Sequence, residues 1–438
     1  MDLIILSLLR TKIQFMKRFQ KLLYLLIFLL IHSYLLAQEN PYTLIKAKHI
    51  FDGHQFHSSK AVLIKDNKII KFESAETIDI PENCKVLEYP DGTLMPGMIE
   101  GHSHLLLHPY NETSWTDQVL VESYAERAIR GANHAKKTLE AGFTCVRDLG
   151  SEGAGYVDVG LKQSIEKGVI PGPRMIVAGK AIVTTGSYGP KGFAEHVQVP
   201  LGAEPADGFD NLTKVVRDQI GQGADVIKVY GDYRWGLNFD ARATFTQKEL
   251  ELIVEVTESS GRQVVAHAAS EEGMRRAILA GVRTIEHGDA GTKEIFDLMK
   301  KHGVALCPTL AAGDAIMQYR GWKKGVDPEP ERIKNKKASF ALALASGVSI
   351  VAGGDVGVFS HGDNVRELEM MVAYGMKPMA VLQSVTEVNA KVFGIDHEIG
   401  QIKVGLLADL IVVNGNPKEN ISTLREVEMV MKEGVIEF

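Results

Sequence analysis

The sequence predicts an α/β fold: a distorted (β/α)8 TIM barrel carrying a small β-sandwich domain built from both chain ends. Three observations predict it. Across residues 96 to 395, short apolar segments alternate with amphipathic ones, the pattern of parallel β/α units. Residues 38–95 and 396–438 instead carry short runs alternating polar with apolar side chains, as hairpin strands do. Polar side chains also recur where the apolar segments of the middle region run out, which is where a parallel barrel gathers its chemistry.

At the N-terminus, Lys17, Arg18 and Lys21 precede the apolar run Leu22 to Leu36, and Ala37 follows it. A basic stretch, an apolar stretch and a small residue at a cleavage position make a secretory signal peptide. The run is shorter than the roughly 20 residues that span a bilayer. Residues 1–37 are therefore expected to be cleaved after Ala37, leaving a secreted or periplasmic chain with no stable membrane anchor. Translation from Met16 would preserve every one of these features. No cysteine follows the run, so a lipid anchor is not indicated. The segment carries Arg10, Lys12, Lys17, Arg18 and Lys21 against Asp2, so its loss takes the formal charge from -6 to -10. An acidic chain argues against nucleic acid as a partner. Only Cys84, Cys145 and Cys307 occur, odd in number and far apart, which is no disulfide framework. They are expected to be small buried apolar residues.

The first β-rich region contains Thr43 to Ala47, Ala61 to Lys65 and Lys68 to Phe72, with Asp66-Asn67 as the turn of a hairpin. Ala408 to Val413 and Val427 to Gly434 answer it from the other end of the chain. Between them, eight strand candidates are Met98–His104, Thr144–Asp148, Arg174–Ala178, Asp225–Tyr230, Gln263–His267, Arg283–His287, Val304–Pro308 and Val348–Gly353. Amphipathic segments at Val121–Ala141, Leu212–Gln222, Thr246–Ser260, Glu271–Ala280, Lys293–His302 and Glu331–Ala345 supply the helices. The Lys334 to Lys337 cluster reads as a solvated helix face. Ile182–Val199, with Ser187, Tyr188, Lys191 and His196, and Leu310–Gly325, with Tyr319, Arg320 and Trp322, read as long loops able to form a pocket. No Walker pattern, G-x-S-x-G or H-E-x-x-H is present.

His102-Ser103-His104 closes the first strand, and a period of two places both imidazoles on one face, a half-site for a divalent metal. Lys228, His267, His287 and Asp355 end later strands in the same way. Tyr230 shares a face with Lys228, where it could polarise a carbonyl, bind a carboxylate or serve as a buried aromatic anchor. Any one of these is unremarkable, since strand histidines are often core residues and an Asp after glycines is often a turn former. Six at equivalent strand ends are a site.

Pro96-Gly97-Met98-Ile99-Glu100-Gly101-His102-Ser103-His104, with Lys228, His267, His287, Asp355 and the tail Gly400 to Leu410, resembles the amidohydrolase superfamily, and within it the two-metal Xaa-Pro and Xaa-Arg/Lys dipeptidase-like members and an ochratoxin-hydrolysing amidase. The resemblance covers nearly all of residues 42 to 438. It implies that His102, His104 and Asp355 hold the more buried of two divalent metals, zinc before manganese or cobalt, and that His267 and His287 hold the other. It further implies that Lys228, carboxylated to a carbamate, bridges them. A free ammonium would be repelled by two cations, whereas a carbamate supplies anionic oxygen.

The implied reaction is hydrolysis of a dipeptide or N-acyl amino acid by a metal-bridging hydroxide, with Asp355 carrying the proton to the leaving amine. Alternatives on the same site are cyclic-amide or lactone hydrolysis and an ochratoxin-type amidase. A deaminase is disfavoured, because such resemblances place other ligands where Lys228 stands. Outside the enzyme class stands an inactive peptide-binding scaffold. Assembly into a homo-oligomer is left open.

Overall fold

The computed structural model describes residues 2–36 and 41–438. Asp2–Leu36 form one helix, and among the described residues no helix is long and apolar enough to cross a membrane. The expected cleavage position at Ala37 lies outside the described residues.

Seven strands of the barrel run Met98–Ser103, Phe143–Asp148, Arg174–Val177, Val226–Tyr230, Gln263–Ala268, Thr284–His287 and Ala305–Cys307. The first three pair in parallel, as do the last four. A few backbone hydrogen bonds and isolated bridges join the two sets and complete the ring. Asp225 N donates to Val177 O at 2.8 Å, Leu306 N to Ser349 O at 2.8 Å, and Gly101 N to Ala352 O at 2.9 Å. The barrel is thus closed but distorted, without a continuous ladder at either seam.

The eighth expected strand, Val348–Gly353, is reduced to an isolated bridge between Leu306 and Ile350. Its backbone groups find side-chain partners instead. Asn389 accepts from Ala352 N at 3.0 Å and donates to both Ala352 O and Ile99 O at 2.8 Å. Glu100 accepts from Gly354 N at 2.8 Å. A Cβ at Gly353 would sit 2.6 Å from the His102 backbone nitrogen, so a glycine is required where this segment crosses the first strand.

The helices follow their local signals. Thr246 and Glu249 form a capping box at the start of Gln247–Glu258. Glu271–Ala280 runs from a Ser270 N-cap to a left-handed Gly281. Their apolar faces, with those of the other surrounding helices, bury one large core against the outside of the strands.

Both chain ends build one eight-stranded sheet. Its centre is a strand not anticipated as such, Lys85–Pro96, parallel to Tyr42–Phe51 and antiparallel to Leu410–Asn414. The sheet folds over on itself. The Lys60–Ser74 hairpin meets the return of the chain through Ile69 N to Leu406 O at 3.0 Å and Ala408 N to Asn67 O at 2.9 Å. Ile45, Val62, Leu94, Val412 and Met431 fill the space between, so the sandwich is a single curled sheet.

Candidate metal centre at the barrel mouth

His102, His104, Lys228, His267, His287 and Asp355 all line one cavity of about 640 Å³. His102 and His104 project together as the period of two requires, with ring centroids 5.3 Å apart. Asp355 Oδ1 lies 3.6 Å from His102 Nε2 and 3.4 Å from His104 Nε2. These donors are within 4.8 Å of one another, close enough to share one ion. The opposite ring nitrogens are already engaged: His102 Nδ1 with Glu286 at 2.9 Å and His104 Nδ1 with the Gly150 carbonyl at 2.9 Å. Such acceptors select the tautomer that leaves Nε2 as a ligand.

The other side is built on the fourth to sixth strands. Tyr230 pairs in register with His267, and His267 with Glu286. Regular alternation would then turn His287 away from the cavity. It does not, because His287 has φ of 76° and ends the strand there. The imidazole consequently lies 4.5 Å from that of His267 and 5.3 Å from that of His102, and its Nδ1 meets Thr309 Oγ1 at 2.7 Å. Glu152, Phe239, Thr309 and Asp355 share this positive φ and line the same cavity. Backbone strain of this kind persists where the surroundings impose it and collects at working sites.

Charge follows burial. Desolvation pulls the Lys228 ammonium below its ordinary value. Burial, then the nearby Lys228 charge, lowers His102 to about 4 and His267 to about 3. Burial would raise Asp355, but His102 and His104 outweigh it and bring Asp355 to about 2. His104, opposed by its own desolvation, is raised by Asp355 to about 9. Three imidazoles held neutral, a fourth paired with a carboxylate, and a buried amine suit divalent metals with nitrogen and oxygen ligands. Neither buried thiol lines the cavity, although Cys307 lies within 4.8 Å of donors of His102 and Glu286; burial pushes Cys145 up to about 12 and Cys307 well above its usual range. Cys84 is only half-buried.

Residues 93–436 match the amidohydrolase family model. The chain belongs to the amidohydrolase family. This amidohydrolase is similar to a crystallised Xaa-Pro dipeptidase with methionine bound in its active site, at 33% identity and a TM-score of 0.79, covering 90% of this chain and 99% of that one. It is similar to ochratoxinase of Aspergillus niger, 29% identical over an alignment of 425 residues that covers 90% of this chain and 85% of the relative. A prolidase complexed with N-methylphosphonate-L-proline matches at 27% identity and a TM-score of 0.77, covering 90% and 99% of the two chains. The chain is a hydrolase acting on carbon–nitrogen bonds, in a family that generally binds divalent metals.

Several expectations about the amidohydrolase's pocket need correcting. Leu310–Tyr319 is a helix, and neither Tyr319, Arg320 nor Trp322 lines the cavity. Glu367 supplies the missing local signal from afar, accepting from Leu310 N at 3.0 Å and Ala311 N at 2.7 Å. Of the four residues singled out in 182–199, only Tyr188 reaches the cavity; Lys191 and His196 are exposed, and Ser187 turns back to Thr184 O at 2.8 Å. Lys336 is not on a solvated face. It is buried beside Ile333 and Phe340 on one helix face, donates to His287 O at 2.6 Å and to Asp289 at 2.5 Å, and lines the cavity.

Sequence reasoning also missed Glu286, which joins His102 to the buried Arg147 (2.9 Å), and Asp232, whose carboxylate lies 3.6 Å from His267 Nε2. A carboxylate beside the predicted ligand His287 was the available signal for Glu286. Tyr230 lines the cavity, its ring stacked 4.6 Å from that of His267.

Proposed function

We propose that this chain is a two-metal hydrolase of dipeptides or N-acyl amino acids, cleaving the amide bond before a residue with a free carboxylate. The observation that carries the reading is the convergence of His102, His104, Lys228, His267, His287 and Asp355 on one cavity. His102, His104 and Asp355 would hold one ion, His267 and His287 the other, zinc before manganese or cobalt, and Lys228 would serve both as a carbamate. When bound, the pair supplies Lewis acidity to the scissile carbonyl and a water acidified toward neutrality.

The chain's own groups supply the rest. Burial favours the neutral amine of Lys228, the form that adds carbon dioxide to give the carbamate. Asp355, aligned by two imidazoles, takes the proton of the attacking water and returns it to the departing nitrogen. The Tyr230 hydroxyl faces the cavity and is positioned to donate to the carbonyl oxygen as it gains charge. Arg234 and Arg332 line the same cavity and offer cations for the substrate carboxylate, whereas Lys336 is held by His287 O and Asp289. The apolar run after Lys21 supports export of the mature chain, and N-terminal sequencing of the secreted product beginning after Ala37 tests it.

Metal-loaded protein assayed on a dipeptide panel varied at each position, each with its C-terminal amide, tests the reading. Free-acid dipeptides are expected to turn over and amides to be poor. Turnover confined to lactones or ring amides would overturn it.

A further inference from the structure

One buried acid in the cavity has no place in the reaction above. Glu152 is 2% exposed, has φ of 47° and lines the cavity wall next to His104. Its Oε2 accepts from the Trp115 indole at 2.9 Å and the Tyr188 hydroxyl at 2.7 Å. Its Oε1 has only the long 3.4 Å contact from the Tyr230 hydroxyl. Arg127, the nearest guanidinium in the bonding pattern, is spent on backbone carbonyls, including that of Glu152 itself at 2.6 Å. Among the described residues no ion pair reaches the Glu152 carboxylate.

His104 and Arg127 bring positive charge near but are bonded to Asp355 and to backbone carbonyls, so this buried carboxylate, held directly by neutral donors, has room for a positive partner. The rings around it suit one. Tyr188 lies 4.6 Å from Tyr230, 4.8 Å from Tyr233 and 5.3 Å from Trp115, a cluster of rings whose N–H and O–H groups meet a single acid. A carboxylate beside a cluster of aromatic rings selects an organic cation over a neutral group of the same size.

We propose that Glu152, with Tyr188, Tyr233 and Trp115, is a recognition site for a cationic nitrogen of the substrate. This rests on the amide-hydrolase reading and deepens it, favouring dipeptides with a free amine over N-acyl amino acids. A basic side chain on the leaving residue would present the same chemistry. Arg234 and Arg332 belong to the same cavity, so the enclosure offers charge of both signs to a zwitterion.

The test compares isosteres in the metal-loaded parent and Glu152→Gln. Alanyl-leucine against propionyl-leucine isolates the N-terminal amine, and propionyl-lysine against propionyl-norleucine isolates the side chain. The proposal expects the parent to prefer one cationic member by about tenfold or more in kcat/KM, and that ratio to fall toward one in Glu152→Gln with metal content unchanged. Unaltered ratios in both pairs would overturn it while leaving the hydrolase reading intact. Absence of turnover on all four would instead count against that reading. Titration with butylammonium, followed by tryptophan fluorescence, then decides the site by itself: saturable binding weakened by Glu152→Gln supports it. Equal binding, no binding, or loss of metal from the variant contradicts it, the last because Glu152 would then be balancing the ions.

Discussion

The two halves of the cavity are held on different terms. His102, His104 and Asp355 come from the crossing of the first strand and the eighth segment, with both imidazoles nearly inaccessible and backed by Glu286 and the Gly150 carbonyl. His267 and His287 are more open, and His287 depends on a strained residue, a Thr309 hydroxyl and the Lys336 ammonium at its carbonyl. The first half is fixed by the barrel's own closure. The second is fixed by side chains arriving from outside the strands, so it should yield first when those are removed.

The largest effect is expected at the residue common to the chemistry of both halves. Asp355→Asn should lower kcat by a factor of about 100 to 10,000, measured on metal-loaded protein. Full turnover with bound metal would remove Asp355 as the proton carrier. Next, Glu286→Gln strikes the rigid half. It breaks the buried pair with Arg147 and loosens His102, and should cost about 3–5 kcal/mol in apo-protein denaturation. It should also weaken the tighter metal about 10- to 100-fold. Thr309→Val and Lys336→Met strike the other half. Each should weaken the second metal by about tenfold and leave the first bound, as metal titration would show. Equal loss of both metals would erase the distinction between the halves.

A smaller effect concerns pH. Burial raises Glu367 to about 8, against its ordinary value of 4.5. The unfolded chain therefore ionises this acid before the folded one does, so its stabilising contribution is full below pH 4.5 and is lost as pH rises through 8. Thermal denaturation of the apo-protein should fall off less steeply between pH 5 and 8 in Glu367→Gln than in the parent. Identical slopes would mean that Glu367 is already ionised in the fold.

What was legible in the sequence was whatever a local period could carry. His102 with His104, Lys228 with Tyr230, and the strand end at His267 follow from alternation along apolar runs, and the barrel follows from their spacing; His287 was legible only as a strand end, since a positive φ and not alternation turns it into the cavity. Lys85–Pro96 was hidden because Pro90-Asp91-Gly92 reads as a turn, yet a register shift between Ala47 and His49 absorbs it inside a continuous strand. Helix Leu310–Tyr319 was hidden because its cap is Glu367, far along the chain. Lys336 was legible in principle: it falls three residues after Ile333 and four before Phe340, on the inward stripe, and only its charge argued for solvent. Glu152 gave no signal, since what marks it is the set of rings brought to it from three other segments.

The central claim is that six side chains from five barrel positions hold a pair of ions. Metal analysis of the saturated, dialysed protein tests it most directly, with Lys228→Ala alongside. Two divalent ions per parent chain and at most one in the variant is the predicted result. One ion or fewer in the parent, or two in Lys228→Ala with undiminished activity, would contradict it.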